Sequence, residues 1–168
     1  MKAVRMFLLT LVFSLTITAA WADCVSPKTV KEVRDCWVTN WNDKNLNRVV
    51  SLYAEDATFE NSDGTFIGRE QIRAALQKLM ESGDVQLTVS SLKGDTSGEL
   101  SYDSGSFDET ITTGGVMIKG GVVIKGGVKV SGGDSKKEHG SYLVVLEKEK
   151  GKLLIVQHAS VTQQPPHE

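Results

Sequence analysis

The sequence predicts an α+β domain, with helices in its first half and a mostly antiparallel sheet in its second. Three observations carry this. Apolar residues recur at helical spacing through Leu79 and Met80. From Val85 onward they alternate with polar residues instead. Two such alternating runs near the end flank a charged turn. Helices followed by strands indicate helices packed on one face of a sheet.

Ser26-Pro27 reads as a helix cap and a first-turn proline. Val30, Val33, Trp37 and Trp41 then follow at helical spacing. Asn42-Asp43-Lys44-Asn45 breaks that helix, and Leu46, Val49, Val50 and Tyr53 form a second, short one. Ala57 to Glu60 reads as a strand and Ser62-Asp63-Gly64 as a turn. Arg69 to Met80 is a third helix, with Ile72, Leu76, Leu79 and Met80 on one face and a stop near Gly83. Val85, Leu87 and Val89 alternate in a strand, and Tyr102 to Ile111 forms the next. Gly140 to Glu147 and Leu153 to Val161, joined through Lys150-Gly151, read as a closing hairpin.

Residues 1–22 read as a signal peptide. Lys2 and Arg5 give a positive start, Met6 to Ile17 is an apolar run, and Ala20-Trp21-Ala22 presents small residues at −3 and −1. A membrane span needs roughly 20 apolar residues, and this run is shorter. Lipidation at Cys24 is disfavoured by Asp23 beside it. Cleavage after Ala22 is expected, giving a secreted or periplasmic domain over 23–168 with no membrane span. Loss of Lys2 and Arg5 from the 19 basic residues leaves 17 against 21 acidic, a net charge of −4. That balance argues against nucleic-acid binding, which needs a basic face.

Export places Cys24 and Cys36, the two cysteines of the chain, in an oxidising compartment. Their pairing is geometrically marginal if a helix starts near Pro27. Cys36 would then lie roughly 14 Å along the axis, and three extended residues recover only about 10 Å. An intramolecular bridge, an intermolecular one and a buried thiol at Cys36 all remain open.

From Gly114 the chain reads GGVMIK, GGVVIK, GGVKVS, GG. An extended ribbon would place Val116, Ile118, Val122, Ile124, Val128 and Val130 on one face. Alternatively, each Gly-Gly is a turn in a small meander. Residues 114–133 are either a duplicated loop that lengthens a late hairpin or a ribbon that binds a partner.

Several segments together resemble a known family. They are Trp41-Asn42-Asp43-Lys44-Asn45, Val50 to Phe59, Asp63-Gly64, Gly68-Arg69-Glu70-Gln71-Ile72, and the last hairpin from Gly140-Ser141-Tyr142 to Ala159-Ser160. This pattern is similar to the SnoaL-like branch of the nuclear transport factor 2-like superfamily, with the glycine repeat as an insertion. The resemblance implies a cone-shaped roll: three helices wrapped by a strongly curved sheet, an apolar pocket inside, and a homodimer formed through the sheet. Its relatives include ketosteroid isomerase, polyketide cyclases, dehydratases and noncatalytic oligomerisation domains.

Isomerase chemistry needs a carboxylate base and strong donors to an enolate oxygen. The resemblance places the base at Asn61, whose amide takes no proton at neutral pH, and the phenolic donor at Trp37, a weak acid. The second donor falls near Ser141-Tyr142, where there is no carboxylate. Ketosteroid isomerase activity is therefore not expected. Strand alternation within the implied cone turns Val156, His158 and Ser160 inward. His158 is the candidate catalytic residue, a base with its pKa near working pH. A lone histidine reads first, however, as a core residue bonded to Asn61 or to a backbone carbonyl. Trp37, Trp41, Phe59, Asn61, Phe107, Tyr142 and Ser160 are the candidate ligand-binding residues. Asp56 reads as a residue that ends the helix-to-strand turn.

His139, His158 and His167 lack metal-ligand spacing. Neither a phosphate loop nor a Gly-x-Ser-x-Gly elbow is present. No metal or cofactor is expected. Three functions remain: an exported domain binding a small apolar ligand, an isomerase-, cyclase- or dehydratase-type enzyme using His158, and an interaction module acting through the 114–133 ribbon.

Overall fold

In the computed structural model, which describes residues 24–113 and 134–163, the first helix, α1 (Val30–Asn42), starts at a capping box. Thr29 accepts a hydrogen bond from the Glu32 backbone N–H, and the Glu32 carboxylate accepts from the Thr29 N–H. The expected cap at Ser26-Pro27 is displaced by three residues. The reason is tertiary: the Pro27 carbonyl accepts from the Leu153 N–H at 2.8 Å, so Pro27 is tied to the last strand. The later start shortens the helical path to Cys36 to about 9 Å. The segment from Cys24 turns back, and the two cysteines form a disulfide with their α-carbons 5.4 Å apart.

This bridge closes a short loop at the edge of the core. Replacing both cysteines with alanine is expected to cost about 3 kcal/mol, mainly by freeing the unfolded chain. Urea unfolding with and without reductant checks it. Reductant should destabilise the native protein and leave the double variant unchanged; equal sensitivity of the two would contradict it.

Helix α2 (Leu46–Ser51) is capped by the Asn45 side chain, which accepts from the Arg48 N–H. Tyr53, placed on this helix by spacing, instead opens strand β1 (Tyr53–Asn61). Strand β2 (Gly64–Ile67) returns antiparallel to β1, pairing Phe66 with Phe59. Its Gly-Thr-Phe-Ile sequence does not alternate apolar with polar residues, so no period announces it. Helix α3 (Gly68–Glu81) buries Ile72, Ala75 and Leu76. The long strands β3 (Asp84–Ser97), β4 (Leu100–Thr113), β5 (Asp134–Glu149) and β6 (Lys152–Gln163) follow.

The sheet order is β2-β1-β6-β5-β4-β3. All neighbours are antiparallel except β1 and β6, which run parallel. The fold is thus α+β, with three helices held by a curved, mostly antiparallel sheet. Register shifts at Tyr53/Thr58, Ser91/Lys93 and Val145/Leu146 bend the strands. Lys150 and Gly151 both take positive φ, the conformation of a tight two-residue hairpin turn between β5 and β6. The 114–133 repeat joins β4 to β5, whose ends pair Thr113 with Asp134. The repeat itself, like the leader, lies outside the described residues. Asp56 sits exposed within β1 rather than at its start. The core gathers Val33 and Trp41 of α1, Val49 and Leu52 around α2, Ile72 and Leu76 of α3, and Leu146 and Ile155 of the sheet.

Candidate functional site

Between α1 and the concave face of the sheet lies a cavity of about 170 Å³. Helix α1 lines it through Val30, Val33, Arg34, Trp37 and Trp41, a single stripe at helical spacing. Trp37 and Trp41 stack, with ring centroids 5.1 Å apart and planes inclined by 13°. On the sheet, Phe107 lies over Gly140, and Tyr142 lies against Gly105, its partner across the strands. A β-carbon on Gly140 would stand 2.3 Å from the Phe107 ring, and one on Gly105 2.9 Å from the Tyr142 ring. The missing side chains let both rings lie close to the sheet.

All eight candidate site residues line this cavity: Trp37, Trp41, Phe59, Asn61, Phe107, Tyr142, His158 and Ser160. Strand alternation works along β6 for His158 and Ser160 but fails for Val156. Leu146 pairs with Ile155 and Val145 with Gln157, so Val156 is the extra residue of a bulge. Ile155 takes the inward place.

His158 is buried and makes a bond that its sequence context does not reveal. Its Nδ1 lies 2.7 Å from the Tyr53 hydroxyl, and Tyr53 Oη accepts from Trp37 Nε1 at 3.0 Å. Burial raises the Tyr53 pKa, so the phenol keeps its proton. Tyr53 Oη accepts from Trp37, and the phenol proton has no acceptor other than His158 Nδ1 among the described residues, so Tyr53 donates to that nitrogen. The imidazole is therefore neutral, with its proton on Nε2. Burial also pushes the His158 pKa down to about 4, well below the working pH expected for a base. Asn61 is not its partner: Asn61 Oδ1 accepts from the Asp63 N–H and closes the β1–β2 turn. Edge-on Trp37 and tilted Phe59 pack against the imidazole at 5.6 and 5.0 Å between centroids.

Two polar groups flank this centre. On one side, buried Asp103 of β4 accepts from Arg34 Nη1 at 2.9 Å, from the Tyr142 hydroxyl at 2.8 Å, and from the Ser91 hydroxyl. Burial, and then the neighbouring Asp103 carboxylate, raise the Tyr142 pKa. On the other side, Glu109 of β4 stands directly opposite Glu138 of β5. Burial, and then the charge of Glu138, raise the Glu109 pKa, while the Trp41 indole N–H pulls it back. Sequence reasoning missed Tyr53, Arg34, Asp103, Glu109 and Glu138. Four of them carried a usable sign: Arg34 shares the α1 stripe with Trp37, Asp103 and Glu109 share strand parity with Phe107, and Glu138 shares it with Tyr142.

Among the described residues no group of three or more His, Cys, Asp or Glu is placed to hold a metal ion. No described helix is long and apolar enough to cross a membrane.

Solved structures share this architecture. A ketosteroid isomerase-like protein from Erwinia carotovora atroseptica aligns with a TM-score of 0.62 and 13% identity, covering 81% of this chain and 95% of that one. A protein of unknown function from Mycobacterium tuberculosis aligns with a TM-score of 0.64 and 14% identity, covering 81% and 70%. An NTF2-like protein of unknown function from Pseudomonas putida gives 0.59 and 12%, covering 79% and 82%. At such identities the likeness is one of fold. No curated protein matches the sequence. The sequence itself supplies the closer relation: residues 35–125, more than half of the chain and running from α1 through β4, match the SnoaL-like domain, and the chain belongs to that family.

Proposed function

We propose that this chain is an exported, homodimeric domain whose cavity binds a small apolar ligand about the size of a single ring. The cavity carries the reading. Its volume of about 170 Å³ is close to that of an apolar protein cavity of about 150 Å³ that admits benzene. Its walls are mainly aromatic and aliphatic, with a few fixed polar groups, as small-molecule sites are. A binding role is favoured over proton transfer at His158, because Nδ1 is engaged by Tyr53 and the neutral Nε2 carries a proton, so the imidazole offers a ligand a donor and no free lone pair. A role for the 114–133 ribbon falls on residues outside those described.

Native mass spectrometry of protein purified from its own host tests the reading. The expected spectrum contains a retained small molecule that is lost on denaturation. Val89→Phe, which fills the cavity wall, should abolish retention. The same adduct on the filled variant would overturn the assignment to this cavity.

Export is supported by the leader pattern and by the disulfide, which suits an oxidising compartment. The homodimer is supported by the outer face of the sheet, where Leu143 of β5 and Val161 of β6 point away from the helices and stand 45% and 65% exposed. Replacing both with lysine should convert a dimer into a monomer by light scattering. A native protein that is already monomeric at micromolar concentration would refute the dimer.

A further inference from the structure

We infer that the cavity is shaped for a ligand whose apolar ring bears a hydroxyl, seated between Trp41 Nε1 and the Glu109 carboxylate. This rests on the proposed cavity binding and names the ligand's polar group. Trp41 is 3% exposed, yet its indole N–H has no hydrogen-bond partner; among the described residues it is the one buried side-chain polar atom in that state. Buried donors are ordinarily satisfied, so an orphan in a cavity wall points to a missing acceptor.

Glu109 lines the same cavity, two residues beyond Phe107 on the inner face of β4. Its cross-strand neighbour Glu138 is paired with Lys136. Glu109 has no ion-pair partner among the described residues. The Trp41 N–H is near enough to influence the Glu109 carboxyl, but it does not reach hydrogen-bond geometry.

The two groups have opposite needs. An indole N–H only donates, and a carboxylate only accepts. A carbonyl or ether would satisfy Trp41 and set a second acceptor against Glu109. An ammonium would satisfy Glu109 and leave Trp41 orphaned. A hydroxyl accepts from one and donates to the other. The stacked Trp37 and Trp41 rings and Phe107 leave apolar wall for the body of the molecule.

The test uses three probes of nearly equal size on the intact mature protein, with affinities from calorimetry at neutral pH. They are phenol, toluene and anisole. In an apolar cavity without partners, toluene outcompetes phenol, because the hydroxyl gives up its water for nothing. Here phenol should bind at least as tightly as toluene and at least tenfold more tightly than anisole. Glu109→Leu should shift the phenol-to-toluene ratio at least tenfold toward toluene. Trp41→Phe, which keeps the ring and removes the N–H, should shift it the same way. Toluene preferred by the native protein, anisole binding as well as phenol, or an unchanged ratio in both variants would overturn the hydroxyl assignment and leave cavity binding standing. Failure of all three probes to bind would overturn both.

Discussion

Asp103→Ala is expected to lower the unfolding free energy by about 3 kcal/mol, the lower end of the range for breaking a buried ion pair. Asp103 is 1% exposed and is the shared acceptor for Arg34, Tyr142 and Ser91. Its removal strands a guanidinium and two hydroxyls inside the cone. The Arg34 side chain is 20% exposed and recovers some water, which holds the loss to that lower end. Asp103→Asn keeps an acceptor oxygen and should cost less. Urea unfolding of the oxidised protein measures both. A loss below about 1 kcal/mol for the alanine variant would mean that the cluster is solvated.

The second large effect is a pH dependence from His158. Its folded pKa is about 4, against an ordinary value of 6.5. The folded state therefore resists a proton that the unfolded chain accepts. Stability from this group is complete above pH 6.5, falls as pH drops from 6.5, and levels off below about 4. The total is about 3 kcal/mol, from about 1.4 kcal/mol per pH unit. His158→Gln should remove that share of the acid sensitivity, leaving the carboxylates' share in both proteins. Unfolding curves at pH 7, 5.5 and 4 give the difference. Equal slopes for the two proteins, or a His158 imidazole that titrates near 6.5 by NMR, would contradict the buried neutral tautomer.

The parts legible from sequence are those set by periodicity. The α1 stripe of Val30, Val33, Trp37 and Trp41 named its buried face directly, and parity along β6 turned His158 and Ser160 inward. The errors arose where tertiary contacts outrank local pattern. Pro27 would suit a first helical turn, but its carbonyl is bonded to Leu153. Tyr53 continues the apolar spacing of α2, yet the parallel pairing of β1 with β6 claims it for the sheet and sets Tyr53 opposite Ile155. Val156 lost its inward place to a bulge, which no alternation rule anticipates.

The site chemistry was less legible than the fold, for a related reason. Polar residues inside the cone break the apolar pattern, so Asp103, Glu109 and Glu138 do not stand out as site residues although they share strand parity with Phe107 and Tyr142. Gly105 and Gly140 hid the same face, because their close approach to aromatic rings is a property of strand pairing rather than of local sequence. The Trp37–Tyr53–His158 chain joins α1, β1 and β6, three elements distant in sequence. Only the packed structure brings it together, and it recasts His158 from a base into a fixed donor.

The most direct measurement is a crystal structure of the mature protein grown with toluene. One toluene ring is expected inside the cone, against Trp37 and Phe107, with the bond from Tyr53 to His158 intact. A cavity closed by its own side chains in the presence of saturating toluene, or a ring bound only elsewhere on the surface, would contradict it.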